Sequence, residues 1–232
     1  MSHVVIAGAS GVVGSRVLRG LLARSGVDHV VALGRRPLPV EHEKLVSTTA
    51  DLQDPHDIAS RIPDGTTSAF CCLGTTLATA GSREAFRAVD RDAVVAFATA
   101  ARERRVGHFL LVSSLGAHRP RNNFYLQTKA AAEAAVAQLG FARLTILRPS
   151  FIDDHGTRPD YRRGERVLLP LARLIFQVLG PTHRYAPISA DVIARAMVRL
   201  AFDSGGERVR IVESDALHTL GASGPMLTGN PG

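Results

Sequence analysis

The chain has 232 residues, 45% of them apolar, and a net charge of +7 from 28 Lys and Arg against 21 Asp and Glu. That is enough for one good hydrophobic core and short for two, with the apolar content of an ordinary globular protein. The positive charge rests on 26 scattered arginines and two lysines, with only short pairs such as Arg104-Arg105 and Arg162-Arg163, so nucleic-acid binding is not expected.

The N-terminus shows no basic leader or cleavage site, and no signal peptide is expected. The apolar stretch Val167 to Leu179 is broken by Pro170 and Arg173 and is too short to span a bilayer. Cys71 and Cys72 are adjacent. Neighbours in a strand point to opposite faces, so the two are poorly placed to bond each other, and a reducing cytoplasm fits. No internal repeat is visible, and no metal site is expected.

In chain order, His3 to Ala7 reads as a buried strand and Val13 to Ala23 as a helix stopping near Gly26. His29 to Leu33, Leu45 to Thr49 and Ser68 to Leu73 read as the second, third and fourth strands. Arg83 to Arg105 reads as one long amphipathic helix, with Phe86, Val89, Ala93, Val94, Phe97 and Ala101 on its apolar side. Phe109 to Val112 is a fifth strand. An alanine-rich helix around Tyr125 then ends at Gly140, a natural C-terminal stop. Arg143 to Leu147, closed by Pro149, is a sixth strand.

Beyond Ser150 the pattern changes. Asp153 to Arg166 is polar and turn-rich, and a helix is predicted from there to Leu179. Ser189 is placed to cap a helix over Ala190 to Phe202. A last strand, Arg208 to Val212, and a short helical turn follow. The tail from Ala222 to Gly232 has the composition of a disordered segment. Apolar strands alternating with helices imply a parallel sheet covered on both faces: a doubly wound α/β Rossmann fold in one domain, residues 1–221. Residues 150–221 are expected to form a small substrate-side appendage over the open edge of the sheet. Such folds bind ligands at the carboxyl ends of their strands.

After the first strand stands Gly8-Ala9-Ser10-Gly11-Val12-Val13-Gly14, a GxxGxxG pattern opening a helix. Glycines there let backbone N–H groups approach a pyrophosphate at a helix N-terminus. After the second strand an NAD-binding protein would carry an acid, whereas this chain has Gly34-Arg35-Arg36. Arginine can hold a 2′-phosphate bidentately, which argues for NADP(H). Asp51-Leu52, after the third strand, reads equally as an adenine contact or as a turn. Gly74-Thr75-Thr76, after the fourth, lets a cofactor lie against the backbone. Ser113-Ser114-Leu115-Gly116, after the fifth, offers a hydroxyl for a carbonyl oxygen.

Tyr125 and Lys129 are four residues apart at the head of the alanine-rich helix and share a face. An ammonium beside a phenol favours the phenolate, the chemistry of a tyrosine used as a proton donor near neutral pH.

Together these residues resemble the short-chain dehydrogenase/reductase superfamily in its atypical or extended branch, and more particularly its Tat-interacting-protein-like oxidoreductases. The resemblance is carried by Gly8 to Gly14, Gly34-Arg35-Arg36, Cys71-Cys72-Leu73-Gly74-Thr75-Thr76, Val89-Asp90-Arg91-Asp92, Ser113 to Ala117, Tyr125 to Lys129, Leu147-Arg148-Pro149 and Ala216-Leu217-His218. It implies NADP(H)-dependent reduction of a carbonyl, or oxidation of an alcohol, on a small or medium substrate. Tyr125 would donate the proton, Ser114 would bond the carbonyl with Ser113 as substitute, and Lys129 would bind the nicotinamide ribose. Leu73, Gly74, Thr75, Pro149, Ser150 and Phe151 would border the cofactor. Where many members carry asparagine in the helix after strand four, this chain has Val89-Asp90. The relatives also leave open an NADPH-binding regulatory protein with little turnover. The helices after strands four and five form a dimer bundle in many members, or here simply cover the sheet.

Overall fold

The computed structural model describes residues 2–119, 122–153, 183–203 and 205–222. Strands rich in Val, Ile, Leu and Phe form where the sequence is apolar on both faces of the chain. They are β1 Ser2–Ala7, β2 Val27–Gly34, β3 Leu45–Thr49, β4 Thr66–Cys71, β5 His108–Val112 and β6 Arg143–Arg148. Short β7 Ile152–Asp153 and β8 Ile188–Ser189 pair with each other, and β9 Val209–Glu213 closes the main sheet. The seven strands run parallel in the order β3-β2-β1-β4-β5-β6-β9. The strand order reverses between β1 and β4, and the crevice above that reversal is where such sheets bind ligands.

Eight helices are described: α1 Val12–Leu22, α2 Pro55–Arg61, α3 Leu77–Ala80, α4 Arg83–Arg87, α5 Ala93–Glu103, α6 Phe124–Gln138, α7 Ala190–Ala201 and α8 Ser214–Ala222. They cover both faces. Val5, Phe97, Phe109, Ala132 and Val136 lie in the core on the α2, α5 and α6 side. Ile6, Val17, Leu110, Met197 and Leu217 lie in the core on the α1, α7 and α8 side. Cys71 belongs to the first core and Cys72 packs against the second, the opposite facing that a strand imposes. The expected doubly wound fold is the one that forms.

The single helix expected over Arg83 to Arg105 is instead α4, a π-helical turn Ala88–Asp92, and α5. The wider turn lies in the middle of the apolar stripe and carries a buried acid, Asp90. Helix α2 gives no clear period in the sequence, because seven residues are too few for one. Its start signals were present: Asp54 accepts the His56 N–H, and Pro55 follows it. Gly140, at φ +70°, follows α6 as anticipated.

The described part of the expected appendage sits differently from the sequence reading. β9 joins the main sheet beside β6, and α7 and α8 pack on the main core. The cause is the apolar face of α7, where Ile193, Ala194, Met197 and Leu200 are all buried. Ala222 belongs to α8 and not to the tail. The loop and helix expected over 154–179 and the tail over 223–232 lie outside the described residues.

Candidate functional site

The turn from β1 into α1 is built on glycine. Gly8 has φ +86°, and a Cβ there would stand 2.6 Å from the Cys72 carbonyl carbon and oxygen. A Cβ on Gly14 would stand 2.1 Å from the Gly8 carbonyl oxygen. Only glycine permits this packing of helix against strand. At Gly11 a Cβ would meet only the Gly8 oxygen, at 3.3 Å, so the shape of the turn does not require glycine there. Gly11 caps α1 without a side-chain bond, and no acid stands in the first helical turn. The first turn of α1 therefore brings no anion of its own to the helix N–H groups, which fits a pyrophosphate. Ser10 is exposed beside Gly11, Val12 is half-buried, and Val13 is buried in the core.

Arg35 and Arg36 are exposed just past β2. Asp51 follows β3 and is exposed. Its Oδ1 accepts the Gln53 N–H at 2.9 Å, the turn role, while its own N–H donates to Asp57. Leu52 packs partly against the core.

The end of β4 meets α6 at a buried ion pair. Lys129 Nζ lies 2.7 Å from Asp90 Oδ1, and Asp90 Oδ2 accepts the Thr75 N–H at 2.8 Å. Asp90 is 1% exposed and Lys129 6%. A Cβ on Gly74 would lie 3.4 Å from both Asp90 Oδ1 and Lys129 Nζ. Burial works against the Lys129 ammonium, but the Asp90 carboxylate and then Tyr125 outweigh it and hold the pKa above the ordinary lysine value. Burial pushes the nearby Cys71 thiol up to about 12, so it stays neutral.

Asn123 caps α6 by accepting the Leu126 N–H, which starts the helix just before Tyr125. The Tyr125 ring packs on Phe86 with centroids 5.5 Å apart. The β5–β6 ladder continues past the strands: the Ser113 N–H donates to the Leu147 oxygen and the Leu115 N–H to the Pro149 oxygen. Ser113 is buried, and its hydroxyl has no hydrogen-bond partner among the described residues. Ser114 is half-buried, with only a long 3.4 Å contact to the Leu115 oxygen. The Ser150 hydroxyl is engaged with the Ala186 carbonyl and the Ser214 hydroxyl, whereas Phe151 is exposed.

Gly74, Thr75 and Lys129 are thus brought together around an acid to which the sequence gives no role, and Tyr125 interacts with Lys129 from the same helix. Asp90 was detectable: it stands four residues after Phe86 and four before Val94, an acid on the buried stripe of a helix. The lone positive charge expected beside Tyr125 is, in the structure, one half of an ion pair. A cavity of about 270 Å³ lies elsewhere, between α6 and the β6–β9 edge, and holds none of the expected site residues.

The sequence profile of the NAD(P)H-binding family matches residues 8–204. The protein HTATIP2 of Rattus norvegicus is 34% identical over 97% of this chain and 92% of its own. The mitochondrial protein fmp52 of Aspergillus niger is 34% identical over 85% of this chain and 86% of its own. Among solved structures, vestitone reductase from alfalfa superposes with a TM-score of 0.62 at 20% identity, covering 92% of this chain and 77% of that one. A short-chain dehydrogenase/reductase family oxidoreductase from Burkholderia thailandensis gives 0.63 at 20% identity, covering 93% and 92%. These two likenesses show the fold. The glycine turn, the family match and the rat relative together make the chain a member of the NAD(P)H-binding family, in its Tat-interacting-protein-like branch.

Proposed function

We propose that the protein is an NADP(H)-dependent oxidoreductase that reduces a carbonyl on a small or medium substrate. The observation that carries this reading is the placement of Tyr125 and Lys129 on α6, with Lys129 buried against Gly74 at the end of β4. When bound, a nicotinamide would supply the hydride. Tyr125 gives its hydroxyl proton to the carbonyl oxygen, and Ser114 orients that oxygen, with Ser113 as the alternative donor. Lys129 would donate to the nicotinamide ribose. Arg35 and Arg36 take the 2′-phosphate, which an acid at that place would repel. Asp51 and Leu52 would border the adenine, and Leu73, Gly74, Thr75, Pro149, Ser150 and Phe151 would border the rest of the cofactor.

Single-turnover NADPH oxidation over a panel of carbonyl compounds tests the reading. Tyr125→Phe is expected to lose at least about a hundredfold in rate, the usual scale of general acid catalysis. Turnover unaltered by this change would overturn it.

One observation favours a second reading, an NADPH-binding regulatory protein: Asp90 balances the Lys129 charge that was expected to act on Tyr125. Crosslinking with and without NADPH tests it, and identical partner profiles would count against it. A cytoplasmic location belongs to the proposal as well. Among the described residues no helix is long and apolar enough to cross a membrane, but the fmp52 relatives are mitochondrial by name, so cell fractionation decides.

A further inference from the structure

Asp90 joins three segments that the chain leaves far apart: the π-helical turn, the Gly74-Thr75 turn after β4, and α6. A buried carboxylate is costly unless both its oxygens are satisfied. Here Oδ2 takes the Thr75 N–H at 2.8 Å, while Oδ1 has no aligned hydrogen bond among the described residues and is compensated by the charge of the Lys129 ammonium 2.7 Å away. The pair packs against the bare backbone of Gly74. Among the described residues, the titratable groups facing Lys129 are Asp90, Tyr125 and Cys71. Cys71 is a neutral thiol, so Asp90 is the anion that compensates the ammonium.

Two consequences follow. A lysine side chain has rotamer entropy to lose on being fixed. Asp90 fixes it in advance, so a ligand bound by Nζ does not have to. The charge that Tyr125 feels from Lys129 is also opposed by a carboxylate in contact with it.

We propose that Asp90 is a positioning residue: it holds Lys129 against the Gly74-Thr75 turn and balances its charge, so that Lys129 acts as a fixed hydrogen-bond donor and not as a free cation driving ionisation of Tyr125. The kinetic part of this inference rests on the oxidoreductase reading above, and the binding and stability parts do not.

The test is a double-mutant cycle with Asp90→Asn, Lys129→Met and both together, read by melting temperature, NADPH affinity from fluorescence titration, and the pH profile of turnover. Asp90→Asn keeps an acceptor for the Thr75 N–H. It is expected to weaken NADPH severalfold and to move the alkaline limb of the pH profile down by about one unit, the effect of an uncompensated neighbouring cation. Lys129→Met strands the carboxylate, so the double variant should melt above Lys129→Met alone. Once Lys129 is gone, Asp90→Asn should no longer change NADPH affinity. Additive effects on melting and affinity, or an unmoved pH profile, would overturn the proposal. If the unmodified protein turns over no carbonyl, the oxidoreductase reading fails, while melting and NADPH affinity still decide the role of Asp90.

Discussion

Arg148, the last residue of β6, grips Glu133 of α6 through two hydrogen bonds, Nε to Oε1 at 3.1 Å and Nη2 to Oε2 at 2.5 Å, with both side chains buried. Glu133 stands one turn after Lys129 on the same helix, so this pair anchors the helix that carries Tyr125 and Lys129. Breaking a buried pair from one side typically costs about 3 to 5 kcal/mol, because a charge is left unpaired. Glu213 lies 3.9 Å from Arg148 Nη1 and can take over part of the load. Glu133→Ala is therefore expected near the low end, about 3 kcal/mol, in urea unfolding. The double change Glu133→Leu with Arg148→Met should cost far less than the single one. A single-variant loss below about 1 kcal/mol would mean that the pair does not anchor α6.

The glycine turn separates structure from binding. Gly14→Ala drives a methyl to 2.1 Å from the Gly8 oxygen and should leave little folded protein. Gly11 has φ −80° and room for a methyl after a small shift of the Gly8 carbonyl. Gly11→Ala should keep stability within about 1 kcal/mol, yet weaken NADPH by blocking the approach of the pyrophosphate. Thermal melting and calorimetric titration of the two variants check this. Undiminished NADPH affinity in Gly11→Ala would place the pyrophosphate elsewhere.

His108 makes stability depend on acid. It is buried, its Nε2 lies 2.8 Å from the Thr145 hydroxyl, and burial first, then Arg143, pulls its pKa down to about 4. The folded state therefore holds His108 neutral where the unfolded chain would protonate it. This contribution is complete above the unfolded value of 6.5 and drains away as pH falls through the window to about 4. Across that window His108 accounts for roughly 3 kcal/mol of lost stability. Unfolding midpoints at pH 7.5 and pH 4.5 should converge in His108→Gln. An equal drop in both proteins would remove His108 as the cause.

Cofactor choice is predicted from the exposed arginines after β2. NADPH should bind more tightly than NADH, and Arg35→Ala should narrow the gap by about tenfold or more, the loss of a charge-assisted contact. Equal affinities in the unmodified protein would refute the preference.

The alternation of apolar strands and helices, the GxxGxxG turn and the Gly140 stop were legible because each rests on local chemistry: period, cap and left-handed backbone. Helix α2 was written there too, in Asp54-Pro55, but its brevity hid it. The π-helical turn could not be read, since Phe86, Val89, Ala93 and Phe97 suit a regular helix equally well. The wider turn carries Asp90, whose partner Lys129 lies on another segment.

By itself, the sequence determined the doubly wound fold and the places where a dinucleotide could lie, because strand ends and glycine turns follow from nearest neighbours in the chain. Only the tertiary structure decided the charge of the site. Lys129 stands 39 positions from Asp90 in the chain and 2.7 Å from it in space. Whether a buried lysine is a free cation or half of a pair depends on which side chain the packing brings to it. The same packing joined β9 to β6 and drew the C-terminal helices onto the core, because the apolar face of α7 is buried more fully on a sheet than over its edge.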